Sequence, residues 1–380
     1  MNSRQLKSAL RTTRGRLRAW RIRLRHHRRA RRTVRQIDML QAAKPLLRDP
    51  QYQDFLKDID RYWRAHFGHE VTRVWHLAFA RGTGLQDVRF IPAQIYADAI
   101  LPHLNDLPLR PAYRDKNLSD VLVKTDRRPS TPLRRIQGSY FSGTTVLQRQ
   151  DILSHLAALE GRPLIIKGSR TDNGVGIRSL SIVAGKPVID GQTCGLSDLE
   201  QLYGTDYLIQ ERIIQHDQIA AIHPQSLNTL RIVTLRWQGR IHKLVSFLRV
   251  GCNGQVTDNL SRGGLGCGID ADGRFREIAF DFCGNGYRAH PNTGYVFATA
   301  PPVPGHAAAC QFACDLHRQV FHFDLISWDI AISASGEPVF LEMNFRGPSD
   351  SYQLTSGQPL FGALTAEVLE AVRDGRHSGS

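Results

Sequence analysis

The chain has 380 residues, enough for two or three packed lobes, and its 41% apolar and 22% charged content is ordinary for a globular protein. Its net charge of +15 would suggest a nucleic-acid binder until that charge is located. Residues 1–37 hold thirteen Arg, one Lys and no acid, which leaves about +1 for the other 343 residues. The body therefore carries no nucleic-acid footprint. No apolar run approaches the roughly 20 residues of a membrane-spanning helix, and no apolar segment follows the basic start as in a secretory signal. The six cysteines form no Cys-x-x-Cys pair, so reduced thiols in the cytoplasm are expected rather than a disulfide framework or a zinc site.

In chain order, the first expected element is an Arg-rich helical arm over residues 1–36, with Leu6, Leu10, Leu17, Trp20, Leu24 and Val34 near steps of three and four. Such an arm can lie on an anionic membrane surface, dock on the body, act as a transit peptide or touch RNA. A helical region follows over 37–135. Its helical pattern runs from Ile37 to about Phe67, with Tyr52, Phe55, Leu56, Ile59, Tyr62 and Trp63 on one face. Pro92, Pro102, Pro108 and Pro111 punctuate what comes next.

Beyond Lys116 the texture becomes β-rich. Strands are expected at 164–167, 176–183, 207–213, 228–237, 240–250, 324–332 and 337–343, the last two joined around Ser335-Gly336. Helices are expected at 197–203, 304–320 and 359–372. Two lobes are implied, 136–213 and 214–375.

Four stretches carry chemistry. In the first, a strand ends at Lys167 and runs into a loop with Gly168, Gly174 and Gly176, where backbone N–H groups can approach an anion beside a fixed positive charge. The spacing is neither a P-loop nor a dinucleotide fingerprint, and alone it is also what a plain turn looks like. In the second, Glu342 and Asn344 share a strand face by alternation, and a neighbouring strand can bring Asp329 beside them. Two carboxylates and an amide suit Mg²⁺; the bland alternative is acids on a solvent-facing edge. In the third, Arg231 and Arg249 sit inside apolar β runs, so each must face a carboxylate, a phosphate or a ligand. Arg231 is the stronger functional candidate because Asn228 lies nearby. The fourth, Gln210-Glu211 at the end of an apolar run, reads on its own as a strand edge.

The order Lys116, Lys167 with its glycine loop, Gln210-Glu211, Arg231, Asp329, Glu342-x-Asn344 resembles the ATP-grasp superfamily over about residues 110–375. The stretches Ser226-Leu-Asn-Thr-Leu-Arg-Ile-Val-Thr and Leu341-Glu-Met-Asn are most similar to its branch associated with sugar-transfer and surface-polysaccharide loci. The resemblance implies an α+β fold with a hinged lid over a larger mixed-sheet domain, ATP between them, and the helical region in front. It implies Lys116 and Lys167 on the nucleotide phosphates, with the loop containing Gly174 and Gly176 closing over them. Adenine would be read along Gln210, Glu211 and Ile213, with Asn228 also assigned to the nucleotide. Asp329, Glu342 and Asn344 would hold Mg²⁺. Arg231 and Lys167 would act at the transferred phosphoryl group. The sequence around Lys116 departs from the family pattern.

The activity so implied is an ATP- and Mg²⁺-dependent ligase joining a small-molecule carboxylate to an amine or sugar-linked nucleophile, with a kinase or a non-catalytic scaffold as alternatives. The expected location is the cytoplasm, at the inner membrane face if the arm docks there.

Overall fold

The computed structural model describes residues 36–171 and 176–375. Residues 1–35 of the arm, and Gly174 of the glycine loop, lie outside the described residues.

The helical pattern from Ile37 to Phe67 is not one helix. Pro45 and Pro50 each start a short 3₁₀ turn, Lys44–Arg48 and Pro50–Tyr52, because proline fits the first turn of a helix but cannot donate within it. Residues 36–43 are α-helical before these turns, and the longer α-helix after them is Gln53–Phe67. It buries Phe55, Leu56, Ile59, Trp63 and Phe67 and stops where Gly68 takes φ 90°, a left-handed cap. Helices Val74–Thr83 and Thr365–Asp374 pack with it into one apolar cluster.

Two antiparallel sheets make up the rest. The smaller lobe is an eight-stranded sheet in the order β3-β2-β1-β8-β4-β5-β6-β7. Its strands are β1 Leu133–Ile136, β2 Ser139–Ser142, β3 Thr145–Leu147, β4 Leu164–Gly168, β5 Arg178–Val183, β6 Lys186–Ile189, β7 Gln192–Thr193 and β8 Tyr207–Glu211. Helices Ile152–Ala157 and Leu196–Tyr203 cover one face through Ile152, Leu156, Leu196 and Leu199. The larger sheet runs β13-β12-β11-β10-β9-β14-β15. Its strands are β9 Thr229–Trp237, β10 Arg240–Val250, β11 Leu265–Ile269, β12 Phe275–Asp281, β13 Gly286–Tyr287, β14 Leu325–Ile332 and β15 Pro338–Asn344. The β9–β10 hairpin closes on Gln238-Gly239, both at positive φ (48° and 73°), the geometry of a two-residue turn whose twist matches that of its strands.

One face of this larger sheet positions the site. Successive side chains alternate, so Thr229, Arg231, Val233, Leu235 and Trp237 of β9 point one way while Leu230 and Ile232 point the other. The second set joins helix His306–His317 in a separate core. On the first face Val233, Leu235, Trp237, Val245, Phe247 and Leu325 lie under the N-terminal helices. Nearer the start of β9 that face turns polar, with Thr229 and Arg231. Helix 306–317 is shorter than the expected 304–320, and the region after Pro359 becomes α-helical only at Thr365, after a 3₁₀ turn Gly362–Leu364. None of the described helices is long and apolar enough to cross a membrane.

Asn105 ties the helical region to the sheet. Its Nδ2 donates to the Leu325 carbonyl (2.8 Å) and the Phe345 carbonyl (3.1 Å), and its Oδ1 accepts from Leu325 N–H (2.9 Å), all buried. Asn105→Ala strands these backbone groups without water. The expected loss is about 2–4 kcal/mol, read as a lower denaturant midpoint at unchanged slope; a change under about 0.5 kcal/mol would remove this tether from the account.

Candidate active site

Strand register assembles the polar end of the sheet face. Asp329 on β14 lies opposite Arg231 on β9 and opposite Glu342 on β15, while Arg249 on β10 lies opposite Thr229. A bulge shapes β15: Asp329 pairs with Glu342 but Ile330 pairs with Phe340, so Leu341 is an extra residue. That extra residue lets Phe340 and Met343 both enter the core behind the sheet while Glu342 and Asn344 face the site.

A chain of ion pairs results. Arg231 Nε donates to Asp329 Oδ1 (2.5 Å) and its Nη2 to Oδ2 (2.8 Å). Arg249 Nη1 donates to Asp329 Oδ2 (2.9 Å) and its Nη2 to Asp258 Oδ1 (2.6 Å). Asp258 Oδ2 in turn accepts from the Thr229 N–H (3.0 Å) and the Thr229 hydroxyl. These side chains are only 5–14% exposed. Burial works against every charge here. For Asp329 the two guanidiniums outweigh burial and hold its pKa well below the ordinary carboxylate range. For Asp258 burial outweighs Arg249 and Thr229, and its pKa is pushed up.

Across from these acids lie the two lysines. Lys167, one residue before the end of β4, is buried, and its pKa falls to about 7, first through burial and then through the neighbouring charge of Lys116, with Glu342 opposing. Lys116 Nζ donates to the Thr171 carbonyl (2.7 Å) and sits 3.7 Å from Glu342 Oε2. The same segment clasps the start of the glycine loop twice more: Lys116 N–H donates to the Ser169 carbonyl (3.1 Å), and Arg170 pairs with Asp115 (2.7 Å). Gly176, on the far side of the loop, takes φ 76°, which favours glycine.

Glu342 and Asn344 point into the same space. The Asn344 amide nitrogen lies 3.4 Å from Asp329 Oδ2 and 3.5 Å from Glu342 Oε1. A half-turn of that amide presents its oxygen instead, giving three hard oxygen donors of net charge −2. Among the described residues no cluster of three or more His, Cys, Asp or Glu could hold a metal ion. An acid–acid–amide set that leaves coordination positions for water and phosphate fits Mg²⁺ rather than a self-sufficient protein cage. Ser169 Oγ, buried two residues after Lys167 and without a hydrogen-bond partner, is a hydroxyl that can donate to an anion held by the lysines.

The structure thus brings Lys116, Lys167, Arg231, Asp329, Glu342 and Asn344 together. Gln210 and Glu211 are elsewhere engaged by their side chains, Gln210 with Thr131 (2.9 Å) and Glu211 with Arg162. The backbone N–H of Glu211 and of Arg212 are taken by Ser130 and Pro163 carbonyls (2.9 and 2.8 Å). Strand β8 ends at Glu211, so Ile213 lies in the connection between the two sheets. Asn228 does not face the lysines through a free amide. Its Nδ2 donates to the Ile219 and His223 carbonyls, and its Oδ1 accepts from Ser226 Oγ and Gly251 N–H, bracing the turn before β9. Sequence reasoning missed Asp258 and Ser169. The one available signal for Asp258 was that Arg249, in an apolar strand, needed an acid.

Residues 137–368 match the profile of a family described as sugar-transfer associated ATP-grasp. No curated protein matches the sequence. Solved structures with a similar fold include VanG D-Ala:D-Ser ligase from Enterococcus faecalis, with 12% identity over 69% of this chain and 61% of that chain and a TM-score of 0.39. The ATP-grasp ligase PsnB, complexed with minimal precursor, Mg and ADP, shows 12% identity over 71% of this chain and 62% of its own, with a TM-score of 0.39. The L-amino acid ligase from Bacillus licheniformis shows 13% identity over 68% and 48%, with a TM-score of 0.37. The matched parts span less than two thirds of each of those chains, and such distant likenesses assign no activity to this one. The profile, by contrast, spans more than half of the sequence and takes in the larger sheet and all of the smaller one but β1, and so the chain belongs to the sugar-transfer associated ATP-grasp family.

Proposed function

We propose that this protein is an ATP- and Mg²⁺-dependent ligase that activates a small-molecule carboxylate as its acyl phosphate and passes it to an amine or sugar-linked nucleophile. The observation that most supports the reading is the meeting of Lys116 and Lys167 with Glu342 between the two sheets, a place where triphosphate charge can be matched from both sides.

Lys116 and Lys167 would hold the phosphates, with Ser169 Oγ as a further donor. Gly174 and Gly176 belong to the loop assigned to close over them. Adenine would lie against the backbone leaving β8, toward Ile213, with Gln210 and Glu211 fixing that strand; Asn228 would support the site by bracing the turn into β9. Asp329, Glu342 and Asn344 would hold Mg²⁺, which offsets charge on the transferring phosphoryl group. A carboxylate oxygen attacks the γ-phosphorus, the bond to the β-phosphate oxygen breaks and ADP leaves. The nucleophile then adds at the acyl carbon, phosphate departs and the nucleophile loses its proton. Arg231 would steady the developing oxyanion.

A kinase would stop after the first transfer, and trapping separates the two. A ligase yields a hydroxamate when hydroxylamine replaces the nucleophile, and ¹⁸O passes from the substrate carboxylate into phosphate. A stable phosphorylated alcohol with neither signal would place the protein among kinases.

The site residues are tested separately. Mg·ATP is expected to raise the Tm of the wild type, Lys167→Ala to abolish that shift with its fold intact, and Glu342→Gln to lower ADP release by about 10³-fold or more. A full nucleotide shift in Lys167→Ala, or near-normal turnover in Glu342→Gln, would clear that residue of its role.

The arm is assigned to an anionic membrane surface, on the strength of fourteen positive charges and an apolar stripe in one segment. Leu10, Leu17, Trp20 and Leu24→Ser keeps every charge, and vesicles containing phosphatidylglycerol should no longer sediment with that variant. Undiminished vesicle binding would count against bilayer docking.

A further inference from the structure

We propose that Arg231 is an exchangeable internal cation on Asp329, and that Arg249, pinned by Asp258, is the positioning residue that keeps the Asp329 carboxylate aimed when Arg231 leaves it. This rests on the reading of Asp329, Glu342 and Asn344 as oxygen ligands of a divalent ion.

The Asp329 carboxylate is already crowded. Its Oδ2 accepts from Arg231 Nη2 and Arg249 Nη1, with the Asn344 amide at 3.4 Å, and its Oδ1 accepts from Arg231 Nε. Two guanidiniums, one of them shared with Asp258, already neutralise it in a place only 5% exposed. A divalent cation brought to the same oxygens would meet both guanidiniums at short range with little water to screen them. One arginine must give way for Asp329 to act as a ligand.

The two arginines are not equivalent. Arg249 is held at both ends: one Nη on Asp329, the other on Asp258, which is itself fixed by the Thr229 N–H and hydroxyl. Removing Arg249 would leave two buried carboxylates, Asp329 and Asp258, without it. Arg231 makes its ion pair with Asp329 alone among the described residues. Its departure uncovers one carboxylate, and that is the one the ion takes. Released, the Arg231 guanidinium is free to turn toward phosphate oxygens, so a single exchange both completes the ligand set and frees a charge for the substrate. Arg249 meanwhile stays on Oδ2 and keeps the carboxylate from rotating away from Glu342 and Asn344.

Mn²⁺ binding in the presence of ADP, followed by electron paramagnetic resonance, reads this without any turnover. Arg231→Gln, which removes the internal competitor, should bind Mn²⁺ at least about fivefold more tightly than the wild type. Arg249→Gln and Asp258→Asn should bind it at least about fivefold more weakly, and Arg249→Lys should recover part of the loss, a graded response that a purely structural defect would not give. The wild-type chain supplies a test independent of any variant's stability. On adding Mg²⁺ with ADP, the Arg231 side-chain Nε–H resonance should move to that of a guanidinium freed from a carboxylate, while the Arg249 resonance holds. Unchanged or weaker Mn²⁺ binding by Arg231→Gln, tighter binding by Arg249→Gln, or a stationary Arg231 resonance would each overturn the exchange. No Mn²⁺ uptake by the wild type would overturn the ligand reading itself, and the exchange with it.

Discussion

A carboxylate almost excluded from water has to be neutralised by charge on the protein, and Asp329 is neutralised by two arginines from two further strands. The Arg231–Asp329–Arg249–Asp258 chain crosses three neighbouring strands and ends in the loop after β10, so it fixes their register at one point more tightly than backbone bonds alone. Removing one member leaves its partner charged and buried, the costly case, and not a mere missing contact. Everything placed around it follows: Glu342 and Asn344 enter by pairing with β14, and the lysines come to meet Glu342 from the smaller sheet.

The same sheet face does two jobs because alternation runs unbroken along β9. Val233, Leu235 and Trp237 hold the N-terminal helices, and Thr229 and Arg231, in step with them, make the floor of the site. The helical region covers the apolar half of that face, and its last part enters the site itself through Lys116. By covering the apolar half it fixes where water can reach the polar half, and Asn105 fixes where the cover ends. The bulge at Leu341 is the second device of this kind. Without the extra residue, Phe340 and Glu342 would point the same way, and one of them would be on the wrong side.

The α+β class and the family were legible in the sequence, and so were strands that alternate strongly: β10 runs over the expected 240–250, and β9 and β14 each begin one residue later than expected. The pairing of Arg231 with Asp329 was not legible, because nothing in the sequence makes β9 and β14 neighbours. What was hidden lacked a periodic signal. Strands β1 to β3 have three or four residues each and are rich in Arg, Ser and Thr. Strand β11, Leu-Gly-Cys-Gly-Ile, reads as a loop, yet a Cβ at Gly266 or Gly268 would come within 2.6–2.7 Å of Thr355, so the glycines are there to admit a helix. That helix, Ser349–Ser356, is buried along its length and mostly polar, the reverse of an amphipathic stripe. Asp258 lies in a loop, where spacing says nothing about which strand it will face.

Helix Gln53–Phe67 and helix Thr365–Asp374 pack together, with His66 bonded to Glu370 across a sequence separation of 304 residues. During synthesis at roughly 5–20 residues per second, the first helix leaves the ribosome some 15–60 s before its partner exists. Through that interval Phe55, Ile59 and Trp63 have no C-terminal helix to lie against, and the sheet face they share is still being made. An element made early is thus among the last to be locked, which makes the nascent chain a natural client for factors that shield apolar helices.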